Sequence, residues 1–140
     1  MKKTTINPYF NFNDNCREAM TFYKECFGGD LTLQTVGESP LADHMPPQMQ
    51  NAILHAALTI DALVIMGSDM RTSELKDGNT VQLNINCKSE EELNALFAKL
   101  STDGKVTNPI AAMPWGAKLG TLTDKFGKNW MFNFEQTKLN

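Results

Sequence analysis

A chain of 140 residues is long enough to enclose one hydrophobic core without staples and too short for two ordinary domains. The net charge is −3 and the basic side chains are scattered, with only Arg17 and Arg71 as arginines, which argues against nucleic acid and anionic membranes as partners. No run is apolar enough to span a bilayer, and after Met1-Lys-Lys3 the stretch Thr4 to Asn15 lacks the apolar core of a signal peptide, so a cytoplasmic protein is expected.

Ile6 to Phe12 alternates, with Ile6, Pro8, Phe10 and Phe12 on one face and Asn7, Tyr9 and Asn11 on the other. This predicts a half-buried strand that begins at an edge because of Pro8. Asp14 or Asn15 is placed to cap a helix in which Cys16, Ala19, Met20, Tyr23, Cys26 and Phe27 recur at helical spacing, and Gly28-Gly29 supplies a left-handed stop. Leu31 to Val36 alternates as a second strand, ended by Gly37. Residues 38–51 carry Pro40, Pro46 and Pro47 with Met45 and Met49, the composition of a long flap without regular structure, either an idle loop or a lid. Ile53 to Ile60 and Leu63 to Ser68 read as strands joined at Asp61-Ala62. That turn puts Leu54, Ala56, Leu58 and Ile60 on a face with Leu63, Ile65 and Gly67, and sets His55, Ala57 and Thr59 opposite Ser68, Met66 and Val64.

The second half repeats the first. Leu83-Asn-Ile-Asn86, within a predicted strand from Thr80 to Asn86, echoes Phe10-Asn-Phe-Asn13. Ser89-Glu-Glu-Glu92 is a capping box opening a helix with Leu93, Leu96, Phe97 and Leu100 as its apolar stripe, stopped by Gly104. Val106 to Ala111 reads as a strand, followed by Met113-Pro-Trp-Gly116 and a hairpin from Leu119 to Phe134 with its turn at Asp124 to Gly127. Trp130, Phe132 and Phe134 share one face of its second arm, and Met131, Asn133 and Glu135 the other. The expected organisation is a single domain of module one (1–70), a linker (71–79) containing Gly78, and module two (80–140). Each module reads βαβββ, with one sheet face covered by its helix. Two such modules side by side predict an α+β fold in which a curved mixed sheet surrounds a cup.

The segment Asp124-Lys-Phe-Gly-Lys-Asn-Trp130 resembles the D-P-F-G-x-x-W ending of PhnB-like proteins in the glyoxalase, bleomycin-resistance and dioxygenase group, the vicinal oxygen chelate superfamily, with Lys125 in place of the proline. The likeness extends to Ile6-Asn-Pro-Tyr-Phe-Asn-Phe12, Ala19 to Tyr23, His55 with Leu58-Thr-Ile60, Met66-Gly-Ser-Asp69 and Trp115-Gly116, nearly the whole chain. It implies the glyoxalase/bleomycin resistance/dioxygenase fold and a homodimer paired edge to edge. For the metal enzymes of the superfamily it further implies a divalent ion held by His, Glu or Gln from cup-facing positions on the first, fourth, fifth and eighth strands. Here those positions carry Asn7, Met66, Thr80 or Gln82, and Met131 or Asn133. Neutral amides and thioethers hold zinc, nickel, iron or manganese poorly, so neither a resident metal nor another cofactor is expected.

His55 is the candidate for chemistry, on the polar side across from Ser68 and near Tyr9, as general base or ligand-orienting donor. The competing role is a structural histidine bonded to a neighbouring strand. Alternation sends Asp69 to the helix side, and His44 lies in the flap beside Asp43. Trp115 reads either as a flat wall for a planar ligand or as a core plug. The three cysteines, Cys16, Cys26 and Cys87, form no C-x-x-C pair and read as buried thiols, which disfavours a disulfide framework, a zinc knuckle and a nucleophilic cysteine. There is no G-x-S-x-G, P-loop, G-x-G-x-x-G or H-E-x-x-H motif. The expected site is thus the polar cup face: Asn7, Tyr9, His55, Ser68, Gln82, Asn84, Met131 and Asn133, with Trp115 beside them. Carrying no formal charge apart from any proton on His55, that set suits a neutral or weakly anionic small organic molecule. The function expected is a metal-independent binding protein. The alternative is a glyoxalase-like enzyme of lyase, transferase or dioxygenase type that uses an unrecognised metal or His55 as base.

Overall fold

The computed structural model describes residues 2–71 and 73–135. The chain divides into two compact units, Met1–Leu75 and Lys76–Asn140.

In the first unit, β1 (Tyr9–Asn11), α1 (Cys16–Phe27), β2 (Asp30–Thr35), β3 (Ile53–Ile60) and β4 (Leu63–Ser68) build a mixed sheet of order β1-β4-β3-β2, in which only the β1–β4 pairing is parallel. The register through the Asp61-Ala62 turn is the one the alternation predicts, with Ala57 opposite Met66 and Thr59 opposite Val64. Cys16, Ala19, Met20 and Tyr23 of α1 are fully buried, as are Ala56 and Leu58 of β3, while Phe10 stacks obliquely on Tyr23 at 5.8 Å. Gly67 makes this close packing possible. A Cβ there would sit 2.9 Å from the Phe12 ring and 3.3 Å from both the Cys16 and Met20 sulfurs, so no larger residue fits beneath the helix without displacing it.

Three local expectations need correction. β1 begins at Tyr9 rather than Ile6: Pro8 has no N–H to pair, its carbonyl accepts from Met66 N at 2.9 Å, and Ile6 ahead of it is 96% exposed. Neither Asp14 nor Asn15 caps α1, since the Asn15 side chain makes no cap bond and Asp14 occupies a left-handed turn at φ 67°. The Asp69 carboxylate does it instead, accepting from Cys16 N at 3.0 Å and from Ile53 N at 2.9 Å. The flap is also more ordered than its prolines suggest. It contains three single-turn 3-10 helices, Val36–Glu38, Ala42–His44 and Pro47–Met49. Gln50 Nε2 ties them by donating to the carbonyls of Ala42 (2.9 Å) and Met45 (3.0 Å). Thr35 and Glu38 form a reciprocal capping box, and hydrogen bonds from the Thr35 backbone N–H and hydroxyl hold the Glu38 carboxyl below its usual range.

In the second unit, β5 (Leu83–Asn86), α2 (Glu90–Leu100), β6 (Lys105–Ala112), β7 (Ala117–Thr123) and β8 (Asn129–Glu135) give the matching order β5-β8-β7-β6, again with one parallel pairing. Both units are therefore βαβββ and the chain is α+β. Trp130 and Phe132 are fully buried beneath α2, with Phe132 edge-on to Phe97 at 5.7 Å. The Lys118–Glu90 ion pair at 2.7 Å joins β7 to the helix. β5 is shorter than expected: Gln82 precedes it, and Val81, which the alternation of Thr80 to Asn86 puts on one face with Leu83 and Ile85, is 72% exposed. The edge strand β6 slips register twice, between Val106 and Asn108 and between Asn108 and Ala111, around Pro109.

The D-x-F-G-x-x-W segment is a lock on the β7–β8 turn. Asp124 is 3% exposed and its carboxylate accepts from Phe126 N (2.8 Å), Lys128 N (3.1 Å) and the Trp130 indole N–H (2.8 Å). Gly127 is favoured by its φ of +86°, and a Cβ there would also come within 2.5 Å of the Asp77 carboxylate, which would have to move. Asp77 in turn pairs with Lys128 at 2.9 Å, and Gly78 accepts from Asn129 Nδ2 at 2.5 Å, so this part of the expected linker is fastened to the turn.

Candidate functional site

On each sheet the face opposite the helix carries the polar residues. In the first unit, Tyr9, Met66, Ala57 and Thr32 lie in one row across the strands, and Gln34 and His55 pair in the next. Tyr9 is 48% exposed, His55 is half-buried, and their rings stand 6.0 Å apart at a 37° tilt. Among the described residues none hydrogen-bonds to the imidazole. Ser68, expected across from it, is engaged elsewhere. Ser68, 2% exposed, donates to the Leu54 carbonyl at 2.7 Å and accepts from Met70 N at 2.9 Å, which makes it a staple at the end of β4. Asp69 lies on the helix side, as alternation predicts, with both oxygens on backbone N–H groups. Asn7 stands before β1, its amide donating to Thr5 Oγ1 at 3.0 Å.

In the second unit, Asn84, Met131 and Thr121 form one row of the open face, and Asn86, Asn133 and Leu119 the next. Asn86, not singled out from the sequence, is the centre of that second row. Its Oδ1 accepts from Asn84 Nδ2 at 3.1 Å and from Asn133 Nδ2 at 3.2 Å. The signal for it was the Asn-x-Asn alternation. Thr121 shares a 2.6 Å hydroxyl contact with Thr107 and accepts from Asn108 Nδ2 at 2.8 Å. Gln82 is exposed just outside β5. Trp115 sits in the β6–β7 turn and is 71% exposed, which removes the core-plug role.

The three cysteines are all buried and unbridged. Burial, with the Asp69 charge adding to it, pushes the Cys16 thiol up to about 12, and burial together with Glu92 pushes Cys87 up to about 11. Thiols held protonated in this way are poor nucleophiles and poor metal ligands. No group of three or more His, Cys, Asp and Glu side chains is placed to hold an ion among the described residues. Of the positions at which the resemblance implies an ion, Met66 and Met131 stand in the open-face rows of their sheets, thioethers that hold a divalent transition metal poorly, while Asn7 and Gln82 lie ahead of β1 and β5. The His44 side chain is exposed in its 3-10 turn.

The comparisons with known proteins agree with this architecture. The family model described as 3-demethylubiquinone-9 3-methyltransferase matches residues 4–132. Protein YjdN of Escherichia coli (strain K12) is 31% identical over 137 residues, spanning 91% of this chain and 93% of the relative. The crystal structure of protein PA1353 from Pseudomonas aeruginosa superposes with a TM-score of 0.85 at 34% identity, over 96% of this chain and all of that one. A putative 3-demethylubiquinone-9 3-methyltransferase, PhnB protein, from Bacillus cereus superposes with a TM-score of 0.76 at 25% identity, over 94% and 99% of the two chains. At 16 and 17% identity the same fold recurs in glyoxalase-related structures. The chain thus belongs to the 3-demethylubiquinone-9 3-methyltransferase family, a PhnB-like branch with the glyoxalase/bleomycin resistance/dioxygenase fold.

Proposed function

We propose that the chain is a binding protein for a small, neutral or weakly anionic organic molecule, held on the polar open face around His55 and Tyr9 without a resident metal. The observation that carries this reading is the chemistry of that face: an imidazole, a phenol, an amide and a thioether, with no carboxylate among the described residues bonded to the imidazole to orient it. The open face of the second sheet, with Asn84, Asn133 and Met131, offers the same uncharged chemistry. Replacing His55 by alanine is expected to weaken a ligand found by screening by about 1–3 kcal/mol, the loss typical of a buried polar partner, with the amide spectrum of the protein unchanged. Elemental analysis after metal-free purification tests the metal-independent part. About one equivalent of zinc, nickel, iron or manganese per chain, lost on replacing His55 or Gln82, would sink it.

The imidazole, without a hydrogen-bond partner among the described residues, supports a second reading, a glyoxalase-like enzyme with His55 as general base. The two separate with His55→Gln: turnover of a bound ligand by the parent and binding without turnover by the variant would favour the enzyme. The reading extends to a cytoplasmic homodimer. Each four-stranded sheet leaves two edge strands unpaired within its own unit, and sedimentation as a monomer at tens of micromolar, roughly the range where a standard interface holds, would count against it.

A further inference from the structure

An open cavity of about 700 Å³ lies in the first unit, between the start of α1, the end of β4 and the flap. None of the predicted site residues lines it. Its size falls in the range of small-molecule sites, roughly 300–1,000 Å³. Three thioethers, Met45, Met49 and Met70, form its apolar wall. That wall is built rather than incidental, because the turns bearing Met45 and Met49 are fastened through the two hydrogen bonds of Gln50 Nε2 and by the Gly37 N to Gln50 O bond at 2.9 Å. Methionine is flexible and polarisable, so such a wall adapts to flat or irregular apolar bodies.

The charged residues at the cavity decide the sign of what enters. Asp14, Asp69 and Glu74 line it together with one arginine, Arg71, which leaves the lining with an excess of negative charge. Asp69 is held in place by its bonds to Cys16 N and Ile53 N, so its charge is a fixed feature of the floor. Negative charge at the mouth of a low-dielectric cavity concentrates cations and repels anions. We infer that this cavity is a second binding site, separate from the His55 face, for an amphipathic organic cation: a protonated amine carried on an apolar body of ring size.

Methionine methyl NMR on the full chain tests this, because the reporters separate the two sites. Met45, Met49 and Met70 report on the cavity, Met66 on the His55 face and Met131 on the open face of the second sheet. The probes are 1-naphthylmethylamine and 1-naphthaleneacetate, similar rings of opposite charge. The expected result is saturable movement of the three cavity methyls by the amine, with Met66 and Met131 still, and at least about tenfold weaker binding of the acid. The double variant Asp14→Asn, Glu74→Gln should weaken the amine about fivefold, because each exposed charge contributes only modestly. Asparagine tolerates the left-handed backbone of position 14, so the fold is not at risk there. Equal binding of acid and amine, no movement of the cavity methyls up to the solubility limit, or movement of Met66 alone would each overturn the inference. Movement of Met66 alone would leave the proposed function standing.

Discussion

Each unit is fastened by one buried aspartate, and the two work over different distances. Asp124 bonds to Phe126, Lys128 and Trp130, all within six residues, and so closes its own turn. Asp69 bonds to Ile53, 16 residues back, and to Cys16, 53 residues back, and so joins the end of β4 to the start of α1 and to β3. The helices differ accordingly. α2 begins on a local cap, with Ser89 Oγ accepting from Glu92 N at 3.1 Å, whereas α1 has no side-chain cap of its own and its Cys16 N donates to Asp69, just past the distant β4. A repeated topology therefore does not imply repeated fastenings.

The largest effect is expected from Asp124→Ala. It strands two backbone N–H groups and the buried Trp130 indole N–H, and should cost about 3–5 kcal/mol in a urea titration. Asp69→Ala strands two N–H groups and should cost about 2–4 kcal/mol. The kinetics sharpen the contrast. A turn lock can form before long-range contacts do, so Asp124→Ala is expected mainly to slow refolding, and Asp69→Ala mainly to speed unfolding. Stopped-flow chevrons with the same pattern for both variants would break the distinction. Ser89→Ala should cost only about 1 kcal/mol, because its partner is a single helix-end N–H near solvent.

A separate effect is expected on alkaline stability. The Cys16 thiol is raised from 9.0 to about 12 in the folded chain, so the unfolded chain loses that proton first. Its contribution is complete below about pH 9 and falls as pH rises toward 12, and Cys87 adds a loss that ends near 11. Replacing Cys16 by serine should flatten the decline between pH 9 and 12, measured as the urea midpoint at each pH. An unchanged slope would show that the thiol is not the source.

The same contrast explains what could be read from the residues alone. The Ser89 cap, the Asp124 to Gly127 turn, the β3–β4 register and the helix-facing Asp69 are local or periodic features, and all are found where pattern places them. What escaped was non-local. Nothing near Asp14 or Asn15 says that the α1 cap comes from position 69. Alternation runs on through Ile6 and Val81, although the pairing that would give it meaning starts only at Tyr9 and Leu83. The Pro and Met content of the flap shows that it is not a strand or a long helix, yet does not reveal that Gln50 gathers it into the wall of a cavity. The polar face that brings His55 near Tyr9 was legible. The engagement of Ser68 with a carbonyl was not, because hydroxyls choose partners by geometry that no spacing records.

The irregular edge of the second sheet bears on how the chain behaves when crowded. A foreign strand laid along β6 would find no donor at Pro109 and a ladder whose spacing breaks on either side of Asn108. Open-ended strand addition, the route to fibrils, is thereby discouraged at that edge, even though Val106 beside it is 42% exposed. Straightening the edge with Pro109→Val would restore the missing donor and should show as faster thioflavin-positive aggregation at high concentration.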